Sequence, residues 1–278
     1  DCHRDPAASV RPRAEVFDFI ETELLEAIPD LTPGKPEYGR VNQAAAWALL
    51  SRLYLNGEIY ASENHYQDAI DAADEVINSG LYNLSPNYAD VFSPANVENE
   101  EHIFVAPFDE ATGTGMNIAQ MTLHYPSQLT FKLQSQPWNG YSTTEEFYNS
   151  YEDGDERKAN NFIVGPQFDT NGNPVLDLAF DPADDDGPPV NYTPFINELF
   201  PNASRQGGAR FGKFSFKIGQ NNDMDNDFPL LRYGEVLLNK AEAVARLNGN
   251  NFSHGTTLDL VGQIRERAGV DPFTTMTE

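Results

Sequence analysis

Apolar side chains recur every three or four residues in the first and last parts of the chain, which is the spacing of one face of an amphipathic helix. Residues that end helices stand just beyond these patterns, at Pro29, Gly57, Gly80 and Gly249. The spacing predicts helices over residues 14–28, 42–56, 66–78, 228–247 and 257–268.

Alanines are frequent in the second and third predicted helices, for example Ala46, Ala69 and Ala73. Small side chains at facing positions let helices approach closely, so these two helices are expected to pair. Trp47 lies among alanines and leucines and is expected in the core. The last two helices are expected to form a second pair. The predicted fold class is therefore mainly α, with tetratricopeptide-like helical hairpins spaced too irregularly for a strict repeat.

The middle of the chain, residues 107–227, loses the helical period, and glycine, proline, asparagine and aspartate interrupt its short apolar runs. We expect a loop-rich, partly β insert in a helical scaffold formed by residues 1–106 and 228–278, all within one compact domain. Loops on a rigid scaffold often bind ligands, so a site is expected in the insert. The predicted elements are strands over 103–106, 162–164 and 211–218, a hairpin turn over 169–173 and a short helix over 144–151.

The most strongly patterned stretch is residues 228–247, which the spacing predicts to be a single helix with Pro229 at its first position. Arg232, Glu235 and Glu242 lie at the edge of its apolar stripe. Partly buried charges of this kind usually pair and fix helix packing. We therefore expect these three residues to be structural, with Glu235 or Glu242 as the partner of Arg232.

Several segments carry a recognisable wording. DFPLLRYGEVLLNKAEA occupies residues 227–243, and the others are RVNQAAAWALLSRLYL at 40–55, PWNGYSTTEEFYNSYEDGDER at 137–157 and LVGQIRERAG at 260–269. Taken in chain order, these segments resemble the SusD/RagB family of surface glycan-binding lipoproteins. Residues 227–243 are similar to the signature helix of that family. Four ordered matches over most of the chain are a more specific signal than any one alone.

The resemblance implies non-catalytic binding of a polysaccharide and its delivery to a SusC-type TonB-dependent transporter. It also implies a lipid anchor on the extracellular face of the outer membrane. Family members are usually longer, so the chain is expected to be a piece of a larger protein. Cys2 follows no apolar signal run and is interpreted as an ordinary residue. Two alternatives are open: a peptide-binding lid, as among RagB-type members, and, more distantly, a glycoside hydrolase.

The chain has 18 basic and 43 acidic residues, and its net charge is −25. Such a surface repels polyanions, so nucleic acid is not expected as a partner and an anionic ligand is disfavoured. A neutral glycan would be indifferent to this charge. No apolar run approaches the length that spans a bilayer, and a single cysteine permits no internal disulfide.

Five residues of the insert suit sugar binding: Trp138, Asn139 and Tyr141, with His124 and Tyr125 a short distance upstream. Aromatic rings can stack on the C–H faces of sugars, while amide and imidazole groups can bond to sugar hydroxyls. These five residues form the predicted ligand-binding group. The alternative is that Trp138 fills a small core beneath the insert, because large aromatic side chains are more often packed than exposed.

Alternating aspartates at Asp223, Asp225 and Asp227 resemble the start of a calcium-binding loop, as do residues 169–173. Neither stretch continues as an EF-hand, because the required glycine and bidentate glutamate are missing at the sixth and twelfth positions. The prediction is that the protein has no cofactor or metal. A calcium site of another geometry, helped by the aspartates at 184–186, is the alternative.

Common enzyme motifs are missing from the sequence, including G-x-S-x-G, H-E-x-x-H and the P-loop. Glu145 and Glu146 could be considered for a glycosidase, but adjacent residues on a helix point in different directions and no partner carboxylate is evident. The sequence therefore predicts a binding protein rather than an enzyme.

Overall fold

The computed structural model describes residues 10–177 and 187–278, and within these ranges the chain is mainly helical, as predicted. Cys2 and the aspartates at 184–186 lie outside the described residues. Short 3-10 helices occupy Ile28–Asp30 and Tyr88–Phe92. The α-helices are α1 (Arg13–Ala27), α2 (Gln43–Leu55), α3 (Gly57–Tyr60), α4 (Tyr66–Asn78), α5 (Ile118–Thr122), α6 (Ser127–Phe131), α7 (Glu145–Asn149), α8 (Glu156–Asn161), α9 (Tyr233–Leu247) and α10 (Gly255–Arg267).

Local sequence signals set the ends of the long helices close to their predicted positions. The side-chain oxygen of Asn42 accepts a hydrogen bond from Ala45 N at 3.0 Å and so caps the start of α2. Gly80 and Gly249 follow α4 and α9 with φ of 65° and 73°. Glycine adopts these left-handed conformations without a Cβ penalty, which explains why both helices stop there.

The scaffold packs helices from the first and last parts of the described chain against each other. Helix α4 packs against both α2 and α9, and α9 also packs against α10. Trp47 is half-buried and contacts two clusters of the scaffold core, in agreement with its predicted packing role. The cluster shared by α2, α4, α9 and the neighbouring strands contains Ala44, Ala45, Ala48, Ala73, Val76, Tyr82, Ile103, Leu231 and Val236.

Small antiparallel sheets connect distant parts of the chain. Strands β1 (His102–Ala106) and β6 (Phe228–Arg232) form one pair. The other pairs join β2 (Phe162–Ile163) to β5 (Arg210–Phe211) and β3 (Gly165–Pro166) to β4 (Asn191–Tyr192).

The predicted start of the signature helix is wrong. Residues Phe228–Arg232 form strand β6, and α9 begins only at Tyr233. Pro229 is therefore a strand residue opposite Val105 rather than the first residue of a helix. A proline is tolerated there because β6 has only one neighbouring strand. Tyr233 N donates to Glu101 O at 2.9 Å, so the residue before β1 satisfies the first N–H of the helix.

The insert contains the predicted short elements, with one exception. The hairpin turn is confirmed, because Phe168 pairs with Pro174 and Asp169 Oδ1 accepts from Asn171 N and Asn173 N, each at 2.8 Å. The predicted helix over 144–151 is confirmed as α7. The strand expected over 211–218 is much shorter, since only Arg210–Phe211 pairs as β5. The rest of that run is irregular and places Phe214 in the core of the insert.

Arg232 forms an ion pair within the fold, but its predicted partners are wrong. Arg232 pairs with Glu101, whose side chain is fully buried and also accepts from Arg267 Nη1 at 2.7 Å. Glu235 instead accepts two hydrogen bonds from Arg52, at 2.6 and 2.8 Å. Glu242 pairs with Arg246 one turn away on α9. The buried charge cluster therefore joins β6 and α10 to the residue that precedes β1.

Within residues 10–177 and 187–278, every helix falls short of the length and apolar character that crossing a bilayer requires.

Candidate functional site

Backbone hydrogen bonds fix the segment 137–143 against neighbouring parts of the insert. Trp138 N donates to Gln120 O at 2.7 Å, and Asn139 N donates to Leu123 O at 2.9 Å. Further along, Thr143 N donates to Ala209 O at 2.9 Å. The segment is thus attached to α5 and its following loop on one side and to the 205–209 stretch on the other.

The Asn-Gly pair in this segment makes a turn that few other residues would allow. Asn139 has a φ of 55°, a left-handed conformation in which asparagine is tolerated. Gly140 N donates to Met121 O at 2.6 Å, and a Cβ on Gly140 would lie 2.9 Å from that same oxygen. The close approach therefore requires glycine, and it holds the backbone between Trp138 and Tyr141 in one shape.

Trp138 and Tyr141 present their rings at the surface on either side of this turn. Their exposed fractions are 51% and 38%, so Trp138 is not a buried core residue. Tyr125 is half-buried and lies two residues after Leu123, whose carbonyl oxygen accepts the hydrogen bond from Asn139 N. Partial burial raises the pKa of the Tyr141 hydroxyl, which therefore stays protonated and able to donate a hydrogen bond. We name the exposed rings of Trp138 and Tyr141 the aromatic ledge.

His124 is not part of this surface, which corrects its assignment as a ligand contact. Its side chain is completely buried, and its backbone N donates to the Tyr192 hydroxyl at 2.9 Å. Its Nε2 lies 2.9 Å from Asp177 Oδ1. Burial lowers the pKa of His124, and the neighbouring Asp177 carboxylate only partly opposes this effect. His124 therefore supports the site from within.

Two buried histidines should make folding sensitive to mild acid. Burial lowers the pKa of both His102 and His124 below the ordinary value of about 6.5. As pH falls below that value the unfolded chain takes up protons before the folded protein, so their contribution to stability is lost on acidification. We expect the double variant His102→Gln/His124→Gln to lose less unfolding free energy than wild type between pH 7.5 and 5.5, measured by urea denaturation. Parallel pH profiles of the two proteins would contradict this assignment.

A polar cleft of about 550 Å³ lies beside the aromatic ledge. Asn139 Nδ2 donates to Arg205 O at 3.3 Å and so connects the ledge segment to the wall of the cleft. The sequence analysis missed this cleft, because its residues come from separate short runs that carry no motif. Its lining residues are Asp177, Pro188, Asn191, Thr193, Asn202, Ala203, Ser204, Arg205 and Gln206.

The loop that forms one wall of the cleft also carries exposed apolar side chains. Asn197 accepts from Ser204 N at 2.8 Å and donates to Asn202 O at 2.9 Å, which closes the loop on itself. Within the closed loop, Leu199 and Phe200 are 86% and 85% exposed. The loop therefore adds apolar surface next to the cleft.

The calcium candidates Asp223, Asp225 and Asp227 bind backbone N–H groups in the structure. Their Oδ1 atoms accept from Gly115 N at 2.7 Å, Glu110 N at 2.9 Å and Phe108 N at 2.7 Å, respectively. This arrangement attaches the start of the insert to the segment before β6. Across the two described ranges, no group of three or more His, Cys, Asp or Glu side chains is placed to hold a metal ion.

A second cavity, of about 240 Å³, lies beside β1 and far along the chain from the aromatic ledge. Lys35, Arg40 and Glu98 give its lining charges of both signs. Its two aromatic hydroxyls already have partners, since Tyr38 bonds to Asp227 and Tyr82 accepts from Asn42. The aromatic rings that line it, those of Tyr38, Tyr82, His102 and Phe104, are buried or half-buried, so the ledge and the polar cleft are the better candidate site.

Comparison with known proteins identifies the family to which this chain belongs. The model of the SusD family matches residues 100–278. The chain belongs to the SusD family. A curated SusD-family relative, the starch-binding protein SusD of Bacteroides thetaiotaomicron, is 39% identical over 87 residues, which are 31% of this chain and 16% of that protein.

Solved SusD-family structures share the fold. A SusD superfamily protein from Parabacteroides distasonis superposes with a TM-score of 0.71 at 25% identity, over 95% of this chain and 52% of that one. Surface glycan-binding protein A from Bacteroides thetaiotaomicron, in complex with laminarihexaose, gives a TM-score of 0.68 at 20% identity, over 94% and 56% of the two chains. The chain therefore spans about half the length of these solved structures.

Proposed function

We propose that the protein binds a neutral polysaccharide or oligosaccharide at the cell surface and does not cleave it. The observation that carries the proposal is the exposed aromatic ledge of Trp138 and Tyr141 beside a cleft lined by amide and hydroxyl groups. Rings offer stacking surface to the C–H faces of a sugar, and the cleft offers hydrogen-bond partners to its hydroxyls. Membership of a family whose relatives include a starch-binding protein supports the same class of ligand.

The absence of catalysis is the second part of the proposal. A retaining glycosidase places two carboxyl groups about 5 Å apart on either side of the scissile bond. Glu145 and Glu146 stand next to each other at the start of α7, so their side chains diverge. Among the described residues that line the cleft, Asp177 is the one that carries a carboxylate, and it is buried against His124.

The family resemblance supports two further elements of the proposal. The full-length protein would be held on the extracellular face of the outer membrane by an acylated cysteine. It would pass its ligand to a SusC-type TonB-dependent transporter, which imports it. Co-purification of the full-length protein with a SusC-type transporter, from detergent-solubilised membranes, tests this partnership.

A ligand screen tests the proposed function against its rivals. Malto-oligosaccharides, laminari-oligosaccharides, xyloglucan oligosaccharides and a peptide library are titrated into the protein by calorimetry, and each mixture is then assayed for new reducing ends. We expect saturable binding of one neutral glycan series without cleavage. Binding of peptides alone would favour the RagB-type lid, and release of reducing ends would favour the hydrolase.

Binding of the glycan should depend little on salt. Stacking and hydrogen bonds to hydroxyls release no counterions, and a net charge of −25 attracts no anionic ligand. We expect the dissociation constant to change less than about twofold between 50 and 500 mM NaCl, because only screened long-range charge effects vary over that range. A steep loss of affinity with salt, or tight binding of a sulfated or uronate polymer only, would contradict a neutral ligand.

A further inference from the structure

The polar cleft offers side chains that the fold itself does not use. The amides of Asn191 and Asn202 make no side-chain hydrogen bond to any residue in the part of the chain that the structure describes. Both residues are exposed and line the cleft. Each amide carries two N–H donors and one accepting oxygen, so the pair can serve ligand groups that both donate and accept.

The floor of the cleft is held by a chain of polar contacts. Gln206 Oε1 accepts from Asn191 N at 2.7 Å, and Gln206 Nε2 donates to Asp177 Oδ2 at 3.1 Å. Asp177 in turn lies against the buried His124. Asn197 holds the other wall through its contacts with Asn202 and Ser204. The backbones of Asn191 and Asn202 are therefore held in place, which lowers the entropic cost of binding a ligand to their side chains.

The segment that carries the aromatic ledge contacts the wall of the cleft. Asn139, between the two exposed rings, donates from Nδ2 to Arg205 O in the cleft wall. Gly208, two residues beyond Gln206, packs so tightly on Ser142 that a Cβ there would lie 2.0 Å from Ser142 Oγ. The segment carrying Trp138 and the segment lining the cleft are therefore packed against each other.

We propose that the polar cleft is a second sugar subsite, which takes a further unit or a side branch of the same oligosaccharide that stacks on Trp138. This inference rests on the proposed function. The cleft volume falls within the range of small-molecule sites, roughly 300 to 1,000 Å³. The described residues of its lining are rich in amides and hydroxyls, which suit a group that presents hydroxyls.

The proposal predicts that the cleft discriminates by chain length. A disaccharide on the ledge would occupy Trp138 alone, whereas a hexasaccharide would also reach the cleft. The double variant Asn191→Ala/Asn202→Ala removes both amides and leaves the Asn191 N–H and Asn202 carbonyl contacts in place. We expect it to weaken hexasaccharide binding at least fivefold and to leave disaccharide binding unchanged.

The test uses laminaribiose and laminarihexaose, or the disaccharide and hexasaccharide of whichever series wild type binds in the screen. Asn78→Ala, which removes an exposed amide at the end of α4, is the matched control and should bind both sugars as wild type does. Melting temperatures verify that all variants fold.

The outcomes separate the two levels of inference. If Trp138→Ala weakens both sugars but the double variant binds the hexasaccharide normally, the second subsite is wrong and the ledge stands. Equal losses for both sugars in the double variant would also overturn the subsite. If wild type binds no sugar of any series, the proposed function fails and the subsite with it.

Discussion

Replacing Glu101 by alanine is expected to destabilise the fold by about 3 to 5 kcal/mol, the usual cost of removing one partner from a buried charge group. The Glu101 side chain is completely buried and pairs with Arg232 and Arg267, which are 23% and 7% exposed. Without the carboxylate, two guanidinium groups would face each other with no counter-charge. Thermal and urea denaturation of Glu101→Ala would measure the loss.

A second ion pair of the scaffold provides the matched control. Glu235 accepts two hydrogen bonds from Arg52, but their side chains are 31% and 42% exposed. Water already solvates and screens a pair of this kind, so Glu235→Ala should cost no more than about 1 kcal/mol. Arg232→Ala should fall between the two variants, because Glu101 would keep Arg267. Equal losses for Glu101→Ala and Glu235→Ala would show that burial does not govern these pairs.

The difference between predicted and observed partners shows where sequence reasoning ends. Residues three and four positions apart are neighbours on the surface of a helix, and this spacing predicted Glu235 as the partner of Arg232. The actual partner, Glu101, is 131 residues away in the chain. Only the pairing of β1 with β6 brings them together, and that pairing is not a local property of either segment.

The helices themselves were predictable because their signals are local. Asn42 caps α2, and Gly80 and Gly249 end α4 and α9, each through the conformation of its own backbone. The five residues of β6 were misassigned because so short a run of leucines fits a helix turn or a strand equally well. Tertiary pairing with β1 makes this run a strand rather than a helix turn.

The sequence predicted only part of the candidate site. Trp138 and Tyr141 were predicted because aromatic and amide residues cluster in this part of the loop-rich insert. His124 was misassigned because nothing in its neighbourhood shows that Tyr192 and Asp177, more than fifty residues further on, cover it. The polar cleft combines separate short segments between residues 177 and 206 that carry no motif, so it could not be found before the fold was known.

The last prediction separates the aromatic ledge from the core by using the two tryptophans of the chain. Trp138 is 51% exposed, so Trp138→Ala should leave the melting temperature nearly unchanged and weaken glycan binding at least tenfold, which is about 1.4 kcal/mol. Trp47 is packed against two scaffold clusters, and Trp47→Ala should instead cost about 2 to 4 kcal/mol of folding stability. Calorimetry of binding and melting on both variants gives opposite patterns if the assignment is correct. Loss of stability without loss of affinity in Trp138→Ala would move the ligand site away from the ledge, towards Tyr125 or the rest of the full-length protein.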